Sequence, residues 1–151
     1  MGVDPLGTTG SIKAGGRFNP PNAFGALYTS LEAPTALKEV AKGLRMRGIA
    51  PEQFPEDAYW IYELEVRSEA VLDLTDPDVL QKSGLQQNAL TGTDVNVTRE
   101  IAAQARQHGY EALLVPSAAD PNSKNLVIFP DRLAARPRVL SSRPLRLTGK
   151  T

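Results

Sequence analysis

The sequence predicts an α+β fold, and three observations lead there. Some segments alternate apolar and polar residues, the period of a strand, while others place apolar residues every three to four positions, the period of a helix. The two kinds follow one another without regular alternation. Glycine and proline, 12 of each in 151 residues, fall where these segments begin and end.

In chain order, residues 2–24 are rich in glycine and proline and read as irregular chain. Residues 26–31 alternate as a short strand. Pro34 suits the first turn of a helix, and Ala36, Leu37, Val40, Ala41 and Leu44 repeat at helical spacing until Gly48 stops it. Residues 51–56 read as a loop. Residues 59–67 read as a long strand, with Trp60, Tyr62, Leu64 and Val66 on a core face and Ile61, Glu63, Glu65 and Arg67 on a mostly wet one. A strand over 70–74 and a short helix from Asp76 towards Gln81, ended near Gly84, come next. A helix over 94–107 turns Val97, Ile101, Ala102 and Ala105 inward and stops at Gly109. Strands over 110–115 and 125–129 flank a polar loop, 116–124.

The length suits one domain with a sizeable core. Lysine plus arginine equals aspartate plus glutamate at 17 each, and a net charge of zero argues against direct nucleic-acid binding. The charge is uneven: Arg132, Arg136, Arg138, Arg143, Arg146 and Lys150 make segment 131–151 basic, against a lone Asp131. This segment reads as a solvated edge or mobile end of the same domain. The absence of cysteine excludes thiolate metal sites and cysteine nucleophiles, and the single histidine, His108, makes a histidine metal site or a Ser-His-Asp triad implausible. No metal is expected. Residues 1–10 lack the pattern of a signal peptide, and no apolar run approaches the roughly 20 residues of a membrane helix. A cytoplasmic, soluble protein without membrane attachment is expected.

Three segments carry candidate chemistry. In Gly15-Gly16-Arg17-Phe18-Asn19-Pro20-Pro21, two glycines let backbone approach a ligand, Arg17 offers a planar fork for a carboxylate or pyrophosphate, and Asn19 adds an amide. Taken alone, the same residues fit a turn with a surface ion pair. Tyr28 and Ser30 at a strand end, followed by Glu39 on the helix, bring a ring and a carboxylate to one corner. The ring suits stacking and the carboxylate a developing cation. A half-buried tyrosine and an exposed glutamate paired with Lys42 or Arg45 fit as well. Ser117 ends a buried strand and Asn125 begins the next, a position suited to ligand contacts or to loop capping.

As an ordered set, these segments resemble the RES domain of bacterial toxins, named for an arginine, a glutamate and a serine. The resemblance runs from about Asp4 to Phe129. Little chain precedes Gly15, where relatives often carry an additional strand or helix. The resemblance implies one RES-like domain over residues 1–151. It implies an ADP-ribosyltransferase-like fold of mixed or antiparallel sheets with flanking helices. It implies a toxin that cleaves the nicotinamide–ribose bond of NAD+ by hydrolysis or phosphorolysis, depletes NAD+ and arrests growth. NAD+ is then a substrate, with inorganic phosphate a candidate acceptor and no tightly bound cofactor. Arg17, Tyr28 and Glu39 take the catalytic roles. Arg17 would hold the NAD+ phosphates or ribose, Tyr28 the nicotinamide or its ribose, and Glu39 the ribose carbon that loses nicotinamide. Asn19, Ser30, Ser117 and Asn125 join Arg17 and Tyr28 in binding. The resemblance also implies a helix-turn-helix antitoxin of the Xre type, expected over the cleft of Arg17 and Glu39 and responsible for any DNA binding. ADP-ribosylation of a specific cellular protein and a catalytically silent binding module are the alternatives.

Overall fold

A short helix, α1 (Thr9–Ala14), interrupts the glycine- and proline-rich start, which reads from sequence as irregular. It buries no residue and has no side-chain cap. Tertiary bonds hold it instead: the Asn22 N–H donates to the Ile12 carbonyl at 2.7 Å and the Ala26 N–H to Ser11 Oγ at 3.0 Å. The computed structural model describes residues 4–53, 55 and 59–146. Parts of three sequence readings, namely residues 1–3 of the start, Phe54 and Glu56 of the loop, and Lys150 of the basic segment, lie outside the described residues.

Strand β1 (Leu27–Ser30) leads into helix α2 (Ala33–Met46), with Pro34 in the first turn and Gly48, at φ 76°, just beyond its end. Ala41 and Leu44 of α2 are buried, whereas Ala36 and Val40, expected inward as well, face a cavity. Strand β2 (Trp60–Glu65) follows, then β3 (Val71–Asp73). Helix α3 (Pro77–Ser83) is capped by Asp76, which accepts from the Asp78 N–H, and closed by Gly84 in the left-handed region. Helix α4 (Gln87–Thr91) has no counterpart in the sequence reading; it is barely more than one turn and buries Leu90. Helix α5 (Val95–Gln107) is capped by Asp94, and Gly109 at φ 88° follows its end. Strands β4 (Ala112–Pro116), β5 (Lys124–Ile128) and β6 (Arg138–Pro144) complete the fold.

The α+β class holds. The main sheet has the order β1-β5-β4-β3, antiparallel except for the parallel β3–β4 pair. Its buried face and α5 enclose Phe18, Leu74, Leu90, Leu113, Val115, Val127 and Phe129. Arg106 of α5 clamps the edge of this core. Its guanidinium lies 4.1 Å from the Phe24 ring centroid and 5.1 Å from that of Phe129, and forks onto both Asp131 oxygens at 2.8 and 2.7 Å. Those bonds hold the Asp131 carboxyl below its usual pKa.

The second sheet corrects two expectations. Residues 138–144, part of the presumed solvated edge or mobile end, form β6 and pair antiparallel with β2. Every β6 residue is exposed, so it is a solvated edge that is nonetheless a strand. The Trp60 face of β2 is not core either: no residue of the strand is buried, and Trp60 is 49% exposed. Alternation reports that a strand has two faces, and here residues of both, Trp60, Tyr62 and Leu64 with Ile61 and Glu63, border a cavity. No helix among the described residues is long and apolar enough to cross a membrane.

Candidate functional site

A cavity of about 930 Å³ lies between β1, α2 and the β2–β6 ribbon. Strand β1 is an edge of the main sheet, so one flank is free to form a wall. Tyr28 and Ser30, two residues apart, share a face of that strand, and both line the cavity. From α2, the stripe Ala36, Glu39, Val40, Gly43 and Arg47 lines it at helical spacing.

Glu39 is the centre of this arrangement. Its Oε2 accepts from Ser117 Oγ at 3.0 Å and from Asn125 Nδ2. Asn125 is oriented in turn by Ser30, whose hydroxyl donates to Asn125 Oδ1 at 2.8 Å; the two residues are register partners on β1 and β5. Ser117 also accepts from the Ala119 and Asp120 N–H groups at 3.2 and 3.0 Å, so its hydroxyl is fully used. The loop after β4 is fastened to α2 on either side of Glu39. Lys38 meets Asp120 at 3.2 Å, and Lys42 donates to the Ala118 carbonyl at 3.2 Å. The bonds from Lys38 and Ser123 hold the Asp120 carboxyl below its usual pKa. Glu39 Oε1 accepts no hydrogen bond among the described residues. The result is a carboxylate fixed through one oxygen with the other available to the cavity.

The sequence-predicted residues therefore divide into two groups. Tyr28, Ser30 and Glu39 line the cavity. Ser117, 1% exposed, is not among the residues lining the cavity, and its hydroxyl donates to Glu39. Asn125 bonds Glu39 directly rather than supporting Ser117 at a ligand.

The glycine-arginine segment departs furthest from expectation. Asn19 is fully buried and its amide is spent: Nδ2 donates to the Ser11 and Phe24 carbonyls at 2.9 and 3.1 Å, and Oδ1 accepts from the Tyr28 hydroxyl. Its Oδ1 anchors the Tyr28 hydroxyl. The glycines make room for the protein's own side chains. A Cβ on Gly16 would collide with the Tyr28 hydroxyl and sit 2.7 Å from its Cζ, and Gly15, at φ 74°, would meet the Pro21 ring at 2.9 Å. Arg17 donates to the Gly92 carbonyl and is not among the residues lining the cavity. Burial of the Tyr28 hydroxyl end raises its pKa above the usual tyrosine value, against the lowering effects of the Phe18 N–H and the Arg99 and Arg17 charges. The phenol therefore stays protonated and donates to Asn19, while the ring remains exposed towards the cavity.

Sequence reasoning missed three contributors. Thr98 donates to the Arg17 carbonyl and Arg99 to that of Gly16 at 2.9 Å, fixing this segment from a helix more than 80 positions away. The β2–β6 ribbon forms a cavity wall with Trp60 and Tyr62, flagged by their alternation but assigned to the core, and Tyr59 just before β2 joins them. Arg143, read as part of a solvated edge, lines the same cavity.

Comparisons with known proteins agree with this architecture. The chain is 31% identical over 115 residues to the NAD(+) phosphorylase MbcT of Mycobacterium tuberculosis and to that of Mycobacterium bovis. The alignment covers 76% of this chain and spans 62% of the length of those relatives. The crystal structure of the M. tuberculosis MbcT–MbcA toxin–antitoxin complex matches with a TM-score of 0.84 at 28% identity, over 96% of this chain and 79% of that one. The fold shared with that toxin is ADP-ribosyltransferase-like. A family model for the RES domain matches residues 3–148. The chain belongs to the RES domain family.

Proposed function

We propose that this chain is a toxin that consumes NAD+ by cleaving its nicotinamide–ribose bond, with inorganic phosphate or water as acceptor. The observation that carries the reading is Glu39, held through Oε2 by Ser117 and Asn125 in the wall of a cavity of about 930 Å³. In this reaction the ribose C1–N bond breaks and its electron pair goes to the nicotinamide nitrogen, which leaves neutral. Positive charge builds on the ribose, and a fixed carboxylate lowers that barrier, as in glycoside hydrolysis. A phosphate or water oxygen then bonds the same carbon and releases its proton to solvent. The exposed ring of Tyr28 offers a face to the nicotinamide or its ribose, its hydroxyl being committed to Asn19. The name of the relatives, NAD(+) phosphorylase, favours phosphate over water.

The domain is taken as residues 1–151, including the basic segment 131–151. A helix-turn-helix antitoxin of the Xre type is the proposed partner, covering the cavity and leaving DNA binding to itself. The proposed location is the cytoplasm, where the NAD+ pool lies. The test is NAD+ consumption by the purified chain, with and without phosphate, with products identified by mass. Glu39→Gln keeps the shape and removes the charge, and is expected to lower turnover by about 10²-fold or more. Undiminished turnover by a folded Glu39→Gln protein would refute the assignment.

A further inference from the structure

Gly43 is a residue that packing does not explain. It lies in the interior of α2, where glycine is about 1 kcal/mol worse than alanine. A Cβ there would meet no protein atom within 4 Å. Gly48, Gly84 and Gly109 have similarly open surroundings, but each adopts a positive φ at a helix end. Gly10 is also unhindered, in the first turn of exposed α1, and does not line the cavity. Gly43 does line it, one helical turn from Glu39. The missing side chain leaves a bare stretch of helix surface facing the cavity.

Two arginines line the same cavity. Arg47 is one further turn along α2, and its Nε donates at 3.4 Å to the Gly43 carbonyl, which turns the side chain back towards that turn of the helix. Arg143, on β6 opposite Ile61, is exposed and forms no ion pair among the described residues. They are the two basic residues of the cavity lining; its acidic residues are Glu32, Glu39 and Glu63. An anionic group entering this cavity finds its complement at Arg47 and Arg143. Arg17, the arginine expected to hold phosphates, is bonded to the Gly92 carbonyl outside the lining.

We propose that Gly43, Arg47 and Arg143 form a pyrophosphate subsite for a dinucleotide whose nicotinamide ribose lies at Glu39. The inference rests on the NAD+ reading and deepens it. The pyrophosphate is one ribose away from the scissile carbon, a span comparable to the helical turn of about 6 Å between Glu39 and Gly43. Guanidinium forks suit phosphate oxygens. The bare helix surface at Gly43 lets those oxygens approach without a clash.

The experiment measures ADP binding by calorimetry, NAD+ kinetics and thermal unfolding for the full chain and four variants. Arg47→Ala and Arg143→Ala are each expected to weaken ADP binding about tenfold or more and to raise the KM for NAD+ similarly, with kcat within about threefold. Gly43→Ala is expected to raise the Tm by about 2–4 °C while weakening ADP, a combination that a purely structural glycine would not give. Arg138→Ala removes a charge from the same strand outside the cavity, and is expected to leave ADP binding unchanged. No ADP binding by the wild type, or wild-type ADP affinity and KM in Gly43→Ala and both cavity arginine variants, overturns the subsite. NAD+ cleavage with an unaffected KM in these variants defeats the subsite alone. ADP binding that the variants weaken, without NAD+ cleavage by the wild type, supports the subsite and defeats the catalytic reading.

Discussion

Asn125→Asp is the substitution that tests the Glu39 geometry most directly. It changes one NH2 group to oxygen and leaves size and the Ser30 contact intact, since Oδ1 still accepts from Ser30. The lost donor is the one that meets Glu39 Oε2, so a bond becomes a pair of facing carboxylates. At an effective dielectric constant near 20, two unit charges about 4 Å apart repel by roughly 4 kcal/mol. That separates the pair's two apparent pKa values by about three pH units, so the pair holds one shared proton into the neutral range. The pair then carries a single negative charge spread over both carboxyl groups around pH 7. The expected result is a large fall in kcat/KM at pH 7 with recovery on raising the pH, so the profile gains an ionisation between about pH 6 and 9. Asn125→Ala removes the donor without adding charge and is expected to lower the rate with no new ionisation. The assay is NAD+ consumption as a function of pH, with folding checked by circular dichroism. An Asn125→Asp profile superimposable on the wild type would refute the inference that Asn125 faces Glu39 during turnover.

Other expectations follow from the same contacts. Ser117→Ala removes a donor to Glu39 and the acceptor of two loop N–H groups. Urea unfolding is expected to show a loss of about 1–3 kcal/mol, and kcat/KM a fall of about 10–100-fold. Gly16→Ala places a Cβ 2.7 Å from Tyr28 Cζ and 2.8 Å from Asn19 Oδ1. It is expected to destabilise by about 1–3 kcal/mol and to lower activity, opposite in stability to Gly43→Ala. Arg106→Lys keeps the charge but loses the fork onto Asp131 and the stacking on Phe24. Because Arg106 depresses the Asp131 pKa, that contribution is present above the usual value of 3.8 and fades as pH falls through the folded value. Asp131 is more than half exposed, so screening limits the electrostatic share to about 1 kcal/mol or less. Urea titrations of wild type and variant are expected to differ at pH 7 and to converge partly at pH 3.

The elements that sequence analysis recovered share a local cause. Helices α2, α3 and α5 have proline or aspartate at their starts and glycine just beyond their ends, signals that act within a few residues. The run 112–115 is buried in the middle of the sheet, where apolar continuity is a sound guide. The elements missed are those whose cause lies elsewhere in the chain. Helix α1 is held by bonds to Asn22 and Ala26, and α4 by burying the single side chain Leu90. Strand β6 is fully exposed and arginine-rich, and it exists because β2 offers an edge.

The site was legible only as an ordered set. Glu39, Tyr28 and Ser30 taken singly fitted an exposed glutamate and a half-buried strand end equally well, and it was their order along the chain, with Arg17, Ser117 and Asn125, that singled them out through the resemblance to the RES domain. Sequence spacing said nothing of direction. It identified Asn19, Ser117 and Asn125 as hydrogen-bonding residues near a site, and they do bond there, but to Tyr28 and Glu39. A cavity bordered by an edge strand and a helix needs such backing, because an unbraced carboxylate would rotate and lose a fixed direction. Ser117 and Asn125 come from the end of β4 and the start of β5, which share a register. The register therefore fixes both donors relative to one another, and the bonds from Lys38 and Lys42 fix α2 against their loop. The orientation of one oxygen thus depends on sheet pairing as much as on the residues that touch it. A change that shifts the β4–β5 register should damage catalysis even with every site side chain intact.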